Sequence, residues 1–202
     1  MKDKNIYLIS SVTKDGSIGV SETNSLIHTS PEDMKLFKSL TRGHTVIMGR
    51  NTWESLPDKP LEGRVNKVIS TTLTELEGAE VYSSLEEAIF SSDGMIYIIG
   101  GAETFECAMQ YNPILYLSMW DDEELTGDVK FPNFESLLDR YTEELSLDRT
   151  DFVFKKYIPT PERSNAQMTV DAILDQWGGN WDVVEGILGK ELSDRIVEAY
   201  GE

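Results

Sequence analysis

Cysteine is nearly absent from this sequence: Cys107 is the only one in 202 residues. An internal disulfide and any cysteine-based zinc site are thereby excluded, and the cytoplasm is the expected compartment. Histidine is scarce too, with only His28 and His44, so no metal centre is expected. No run approaches the roughly 20 apolar residues of a membrane span. The start, Met1-Lys2-Asp3-Lys4, leads straight into a strand-like segment without the apolar stretch of a signal peptide. Positive charge is short as well: 18 Lys and Arg face 36 Asp and Glu, a net charge of −18. So much negative charge argues against nucleic acid and against anionic membrane as partners. The Gly-x-Gly-x-x-Gly dinucleotide fingerprint is also missing.

What is present is an alternation of strand and helix patterns. Ile6–Val12, Thr45–Met48, Val65–Ser70, Glu80–Tyr82, Met95–Ile99 and Ile114–Trp120 read as strands. Pro31–Leu40, Asn51–Ser55, Leu85–Phe90 and Ala102–Gln110 read as helices between them. Such alternation implies crossover connections and a largely parallel sheet. Tyr141–Leu147 and Asp151–Tyr157 alternate in period two across Asp148-Arg149-Thr150, which reads as an antiparallel hairpin. From Pro159 to Asn165 the composition is that of a linker. Three short helical patterns follow, around Val170–Trp177, Trp181–Leu188 and Glu191–Tyr200. The expected organisation is a domain over 1–158 and a linker with an acidic helical extension over 159–202. The fold class is α/β, with a mixed, mostly parallel sheet flanked by helices.

Three segments carry chemistry. Ser30 is a good helix N-cap, Pro31 suits the first helical position, and Asp33 stands where a capping-box acid would. At about 100° per residue, however, Phe37 lies about 40° from Asp33 and Leu40 about 20° away on its other side. Lys35 and Arg42 are nearly opposite. A carboxylate centred on an apolar stripe needs a partner, and such residues are functional candidates. The second segment is Thr45-Val-Ile-Met-Gly49-Arg50-Asn51-Thr52, a buried strand turning at once into a polar helix start, a geometry that suits phosphate groups. The third, Met95-Ile-Tyr-Ile-Ile99-Gly100-Gly101-Ala102, runs a strand through two glycines into a helix. Its glycines suit either close approach to a ligand or a tight turn.

In this order the segments resemble the dihydrofolate reductase family, from about Asn5 to Ile158. The resemblance rests on Val46-Ile-Met-Gly-Arg-Asn-Thr-Trp-Glu-Ser-Leu56, Pro60-Leu-Glu-Gly-Arg64, Ile98-Ile-Gly-Gly101, the Ser30–Lys38 helix and Thr126-Gly-Asp-Val-Lys-Phe-Pro132. It implies an NADPH-dependent reductase of dihydrofolate, with Asp33 gripping the pterin's amidine edge and promoting protonation at N5. It implies Phe37 and Met34 as an apolar wall around the pterin and the benzoyl ring, Leu56 and Leu61 on the far side, and Ile9 and Lys59 as further substrate-binding residues. Arg64 would pair with the substrate's α-carboxylate, and Ser118 would stand for the threonine that bonds the acid. For the cofactor it implies Ser11, Ile18 and Gly19 beside the nicotinamide. Thr52 and the Gly100-Gly101-Ala102 turn would lie at the pyrophosphate, with Gly100-Gly101 a cis peptide, and Asn51, Thr104 and Phe105 would also be cofactor-binding. Arg50, Ser70 and Thr71 would lie at the 2′-phosphate, which favours NADPH over NADH.

The sequence departs from the family where Ile27-His28 replaces Pro-Trp in a lengthened loop; His28 is expected to take over part of the tryptophan's role of ordering a water near the pterin. Glu103 stands where some members carry a cofactor-facing arginine. Two other readings share this fold: a riboflavin-pathway reductase, against which Asp33 and Arg64 both speak, and a scaffolding protein using the extension as its contact surface. The tail carries nine acidic residues against three basic. It is expected to pack on its own body as part of a monomer rather than a homodimer.

Overall fold

The computed structural model describes residues 5–160. The expected tail helices lie outside these residues. Eight strands form the main sheet: β1 (Asn5–Thr13), β4 (Thr45–Gly49), β5 (Val65–Ile69), β6 (Glu80–Tyr82), β7 (Met95–Ile98), β8 (Ile114–Trp120), β10 (Tyr141–Asp148) and β11 (Val153–Pro159). Their spatial order is β10-β11-β8-β1-β7-β4-β5-β6. Pairings from β8 through β6 are parallel, and β11 is antiparallel to both β8 and β10. The expected mixed sheet ending in an antiparallel hairpin is therefore what forms.

Period-two burial on both faces explains the continuous apolar runs. Leu8, Ile47, Ile96 and Ile98 pack on one side with α3 (Leu85–Phe90) and α4 (Ala102–Ala108). Ile9, Val46, Met48 and Tyr97 pack on the other with Trp53 of α2 (Arg50–Ser55) and with Phe37 and Leu40 of α1 (Pro31–Thr41). Buried parallel strands covered on both faces show this texture.

Several boundaries move. Thr41 remains in α1, and α4 stops at Ala108, after which Met109–Tyr111 tightens into a 3-10 turn ending on left-handed Asn112. Val65–Ser70 shortens by one residue: β5 ends at Ile69, and Ser70, whose N–H still donates to Tyr82 O at 2.9 Å, caps the following turn with its Oγ. The linker-like composition at Pro159 is misleading: Pro159 is still in β11, opposite Tyr141, and the Thr160 N–H donates to Arg140 O at 2.9 Å. A second sheet has no counterpart in the sequence reading. It joins β2 (Ser17–Val20), β3 (Ser25–Leu26) and β9 (Val129–Lys130) in the order β3-β2-β9. A 3-10 helix over Phe134–Asp139 is likewise new.

Candidate active site

Parallel strands deliver the carboxyl ends of β1, β4, β5 and β7 to one edge of the sheet, the usual ligand edge of open α/β sheets. Asp33 meets that edge from α1. Ser30 caps the helix, its Oγ accepting from the Asp33 N–H at 3.2 Å. The Asp33 carboxylate does not serve the cap. Its Oδ2 accepts from Ser11 Oγ at 2.9 Å and its Oδ1 from Ser118 Oγ at 2.6 Å. Ser11 and Ser118 are register partners on β1 and β8, so their side chains share one face, and the carboxylate packed over that face bridges them. At 8% exposure Asp33 is a buried acid with both oxygens held.

A carboxylate offers roughly four lone-pair positions. Two hydroxyls take one on each oxygen and leave one on each, which is the acceptor pattern for two parallel N–H donors. The apolar wall gathers beside it: Ile9 is buried, and Phe37, Leu56 and Leu61 pack half-buried against the same cluster. Met34 is 44% exposed, an apolar surface left open on the cleft side of α1. Arg64 is held over Phe37, its Cζ 5.6 Å from the ring centre. It donates to Thr41 Oγ1 at 3.1 Å and to Glu62 O at 3.2 Å. Burial first, and the like charge of Arg42 second, hold its guanidinium below its ordinary pKa. Lys59 is engaged elsewhere. Its ammonium donates to Trp53 O and Glu54 O at 3.2 and 3.1 Å, closing the carboxyl end of α2.

On the cofactor side, Gly100-Gly101 is a cis peptide and Gly100 has φ +124. Gly49 N donates to Gly100 O at 2.7 Å, tying the β4 and β7 turns together. A Cβ on Gly49 would stand 3.0 Å from Thr104 Oγ1, and one on Gly100 3.2 Å from Thr52 Oγ1. α2 and α4 both start at glycines, Gly49 and Gly101, with no side-chain cap. Ala102 opens α4, so the glycine turns stand close against the Thr52 and Thr104 hydroxyls and make a cradle of backbone and hydroxyl groups. Arg50 is the exposed guanidinium beside it, loosely paired with Glu54 at 3.7 Å.

Other residues of the expected cofactor set fall differently. Ser70 is buried, its Oγ accepting from the N–H groups of Thr72 and Leu73, while Thr71 is exposed. Ile18 and Gly19 sit on β2, where the Gly19 backbone pairs with Leu26 and Val129. Asn51 presents its carbonyl to Asn24 Nδ2 at 2.9 Å. Phe105 is only 2% exposed, packs against Phe131, and lies under the Gly100 turn. Its ring supports the cradle rather than lining it. Ser11, read from sequence as a nicotinamide neighbour, has its hydroxyl on Asp33.

His28 packs edge-on against Trp120, with ring centres 4.4 Å apart. Trp120 shares its sheet face with Ser118 two residues before it. Its Nε1 is buried without a hydrogen-bond partner among the described residues. The sequence reading gave Trp120 no role; an indole two residues from the serine that bonds the acid was the available signal.

The sequence pattern of the dihydrofolate reductase family matches residues 5–157. Dihydrofolate reductase of Buchnera aphidicola is 39% identical over 133 residues, 65% of this chain and 81% of that one. The Neisseria meningitidis serogroup A enzyme is 36% identical over 160 residues, 76% of this chain and 97% of that one. A solved structure of Enterococcus faecalis dihydrofolate reductase, complexed with NADP(H) and RAB-propyl, shares the fold with a TM-score of 0.68. It is 23% identical and covers 79% of this chain and 98% of that chain. The buried acid, apolar wall, guanidinium and glycine cradle thus lie on a mixed α/β sheet of this fold. The chain belongs to the dihydrofolate reductase family.

Proposed function

We propose that this chain reduces 7,8-dihydrofolate to 5,6,7,8-tetrahydrofolate, consuming one NADPH and one proton. The observation that carries the reading is Asp33: a buried carboxylate with one acceptor position free on each oxygen, beside an apolar wall. Those two positions suit the 2-amino group and the ring N3–H of a pterin, held as parallel charge-assisted hydrogen bonds. Phe37, Met34, Leu56 and Leu61 exclude water from the ring system and its benzoyl neighbour. Arg64 takes the α-carboxylate, for which a guanidinium is the geometric match. Lys59 adds a positive charge at the same end, though its ammonium holds α2.

The glycine cradle fits a dinucleotide pyrophosphate, with Thr52 and Thr104 as hydroxyl donors and Ala102 at the helix start. Arg50, with Asn51, Ser70 and Thr71 nearby, supports a 2′-phosphate and hence NADPH. Ser11, Ile18 and Gly19 would flank the nicotinamide end. NADPH when bound supplies the hydride; the protein orients the pterin and, through Asp33, raises its proton affinity at N5. No helix of the described residues is long and apolar enough to cross a membrane. We take the protein to act as a cytoplasmic monomer, a setting that suits a single unpaired cysteine.

The test is Asp33→Asn. The variant keeps NADPH binding but loses at least about 100-fold of its turnover at neutral pH, the range for a lost proton-assisting group. An amide cannot bind the pterin as an anion or favour its protonation. The loss therefore shrinks at acid pH, where the substrate arrives protonated. Turnover near that of the unsubstituted protein at neutral pH would return Asp33 to a structural role.

A further inference from the structure

Beside the acid, Trp120 carries a polar atom that the reductase reading does not use. Its side chain is 3% exposed, and its Nε1 has no hydrogen-bond partner among the described residues. An indole nitrogen can only donate, and a buried donor without an acceptor costs the hydration it has lost. Most of the ring's surroundings cannot answer it. Phe152 lies against the indole with ring centres 5.1 Å apart, and Phe154, Leu36 and Leu125 belong to the same apolar cluster. His28, with ring centres 4.4 Å apart and planes inclined at 69°, is the polar side chain in ring contact with it.

The backbone on both sides of His28 is tied down. Ile27 before it is buried, its N–H donating to Ile18 O at 3.0 Å, and Ser30 after it caps α1, its Oγ accepting from the Asp33 N–H at 3.2 Å. What remains free is rotation of the imidazole, whose outer torsion is broad and two-fold. Turning that ring is the small movement by which a nitrogen lone pair reaches the indole N–H. The contact bears on the acid because of where its two ends lie. Trp120 follows Ser118 by two residues on one face of β8, and His28 precedes Ser30 by two at the entry to α1. Ser118 Oγ in turn holds Asp33 Oδ1 at 2.6 Å. The strand and the segment carrying the acid are thus joined twice, by Ser118 to Asp33 and by Trp120 to His28. One hydrogen bond sets the distance of the carboxylate from β8; a second contact between the same two segments sets its orientation.

We propose that Trp120 is a positioning residue for Asp33: once the imidazole turns, the indole N–H donates to a ring nitrogen of His28 and clasps the entry of α1 to β8. The clasp keeps the carboxylate on Ser11 and Ser118, with its two remaining acceptor positions turned to the substrate. This inference rests on the reductase reading above and adds to it a pair of residues that act through the acid.

The experiment uses the full-length protein and substitutions that keep the ring packing. Trp120→Phe removes the donor and His28→Phe the acceptor. Each is expected to lower kcat/KM for dihydrofolate about five-fold, with the KM for NADPH and the Tm close to those of the parent. The double variant loses no more than either single one, because both substitutions remove the same bond. His28→Gln restores an acceptor and recovers most of the loss. In proton–nitrogen correlation spectra, the indole signal that Trp120→Phe abolishes moves in His28→Phe and returns towards its parent position in His28→Gln. Losses that add in the double variant, full activity in both single variants, or an indole signal indifferent to His28 would overturn the proposal. Absence of turnover in the unsubstituted protein would strike the reductase reading instead. The indole signal and calorimetric binding of folate to the same variants then decide the clasp: a weakening shared by Trp120→Phe and His28→Phe upholds it, and unchanged binding overturns it.

Discussion

At the scale of single residues, Asp33 is the point where helix chemistry and the proposed catalysis divide. The same position could have served the Ser30 cap, yet its carboxylate turns to Ser11 and Ser118. Ser11→Ala removes the donor on Oδ2 and leaves the acid held on one oxygen. Hydrogen bonds to charged groups contribute about 1.5–3 kcal/mol, and part of that is recovered by solvent once the cleft is open. A fall of about ten-fold in kcat/KM is expected, with the denaturant midpoint little changed. A change in stability with full turnover would make Ser11 a packing residue. Arg50 permits an equally sharp test. Arg50→Ala should weaken NADPH binding by about 1.5–3 kcal/mol and hardly touch NADH, measured by fluorescence titration of each. Equal loss for both cofactors would move Arg50 from the 2′-phosphate to the pyrophosphate.

Among elements, β5 holds the least expected side chain. Lys67 is almost completely buried, yet its ammonium reaches Ser91 Oγ at 2.8 Å, Ala88 O at 3.4 Å and Glu80 at 3.5 Å. It thereby closes the carboxyl end of α3 from inside the sheet, over the Tyr82 ring. Replacing a buried charge by an apolar side chain of similar volume is often neutral, because Glu80 is half exposed and Ala88 O retains the Ser91 and Ser92 hydroxyls as donors. Lys67→Met should stay within about 1 kcal/mol of the parent, whereas Lys67→Ala should cost about 2 kcal/mol or more through the cavity it opens. Urea unfolding of both separates stem from charge; a large loss in Lys67→Met would show that the ammonium itself secures α3. The main sheet was legible because its strands are buried on both faces, so each announces itself as an apolar run between turn signals. Lys67 breaks such a run and is invisible until α3 is in place. The small sheet was not legible for a different reason. β2, β3 and β9 are two to four residues long, too short for periodicity, and they pair through distant partners such as Gly19 and Val129. The contact of Ser11 with Asp33 failed to show for the same cause: it depends on the β1–β8 register, which neither strand's sequence states alone. The acid, the glycine cradle and Arg64 were legible because each sits in a local motif.

For the whole molecule the governing quantity is the net charge of −18. Most of the seven ion pairs among the described residues have both side chains well exposed, such as Lys14–Asp121 and Lys130–Asp15, and exposed pairs contribute little to stability. Self-repulsion of an unbalanced surface, by contrast, opposes the compact state over its full extent. Salt screens both, but it has far more repulsion than attraction to remove, since the Debye length falls from about 30 Å at 0.01 M to about 8 Å at 0.15 M. Raising sodium chloride over that range should therefore stabilise the fold, by about 1 kcal/mol or about 2–4 °C in Tm for a chain of this size. Scanning calorimetry across a salt series tests this. A Tm that falls with salt would mean that the ion pairs, not the net charge, dominate the electrostatics of this fold.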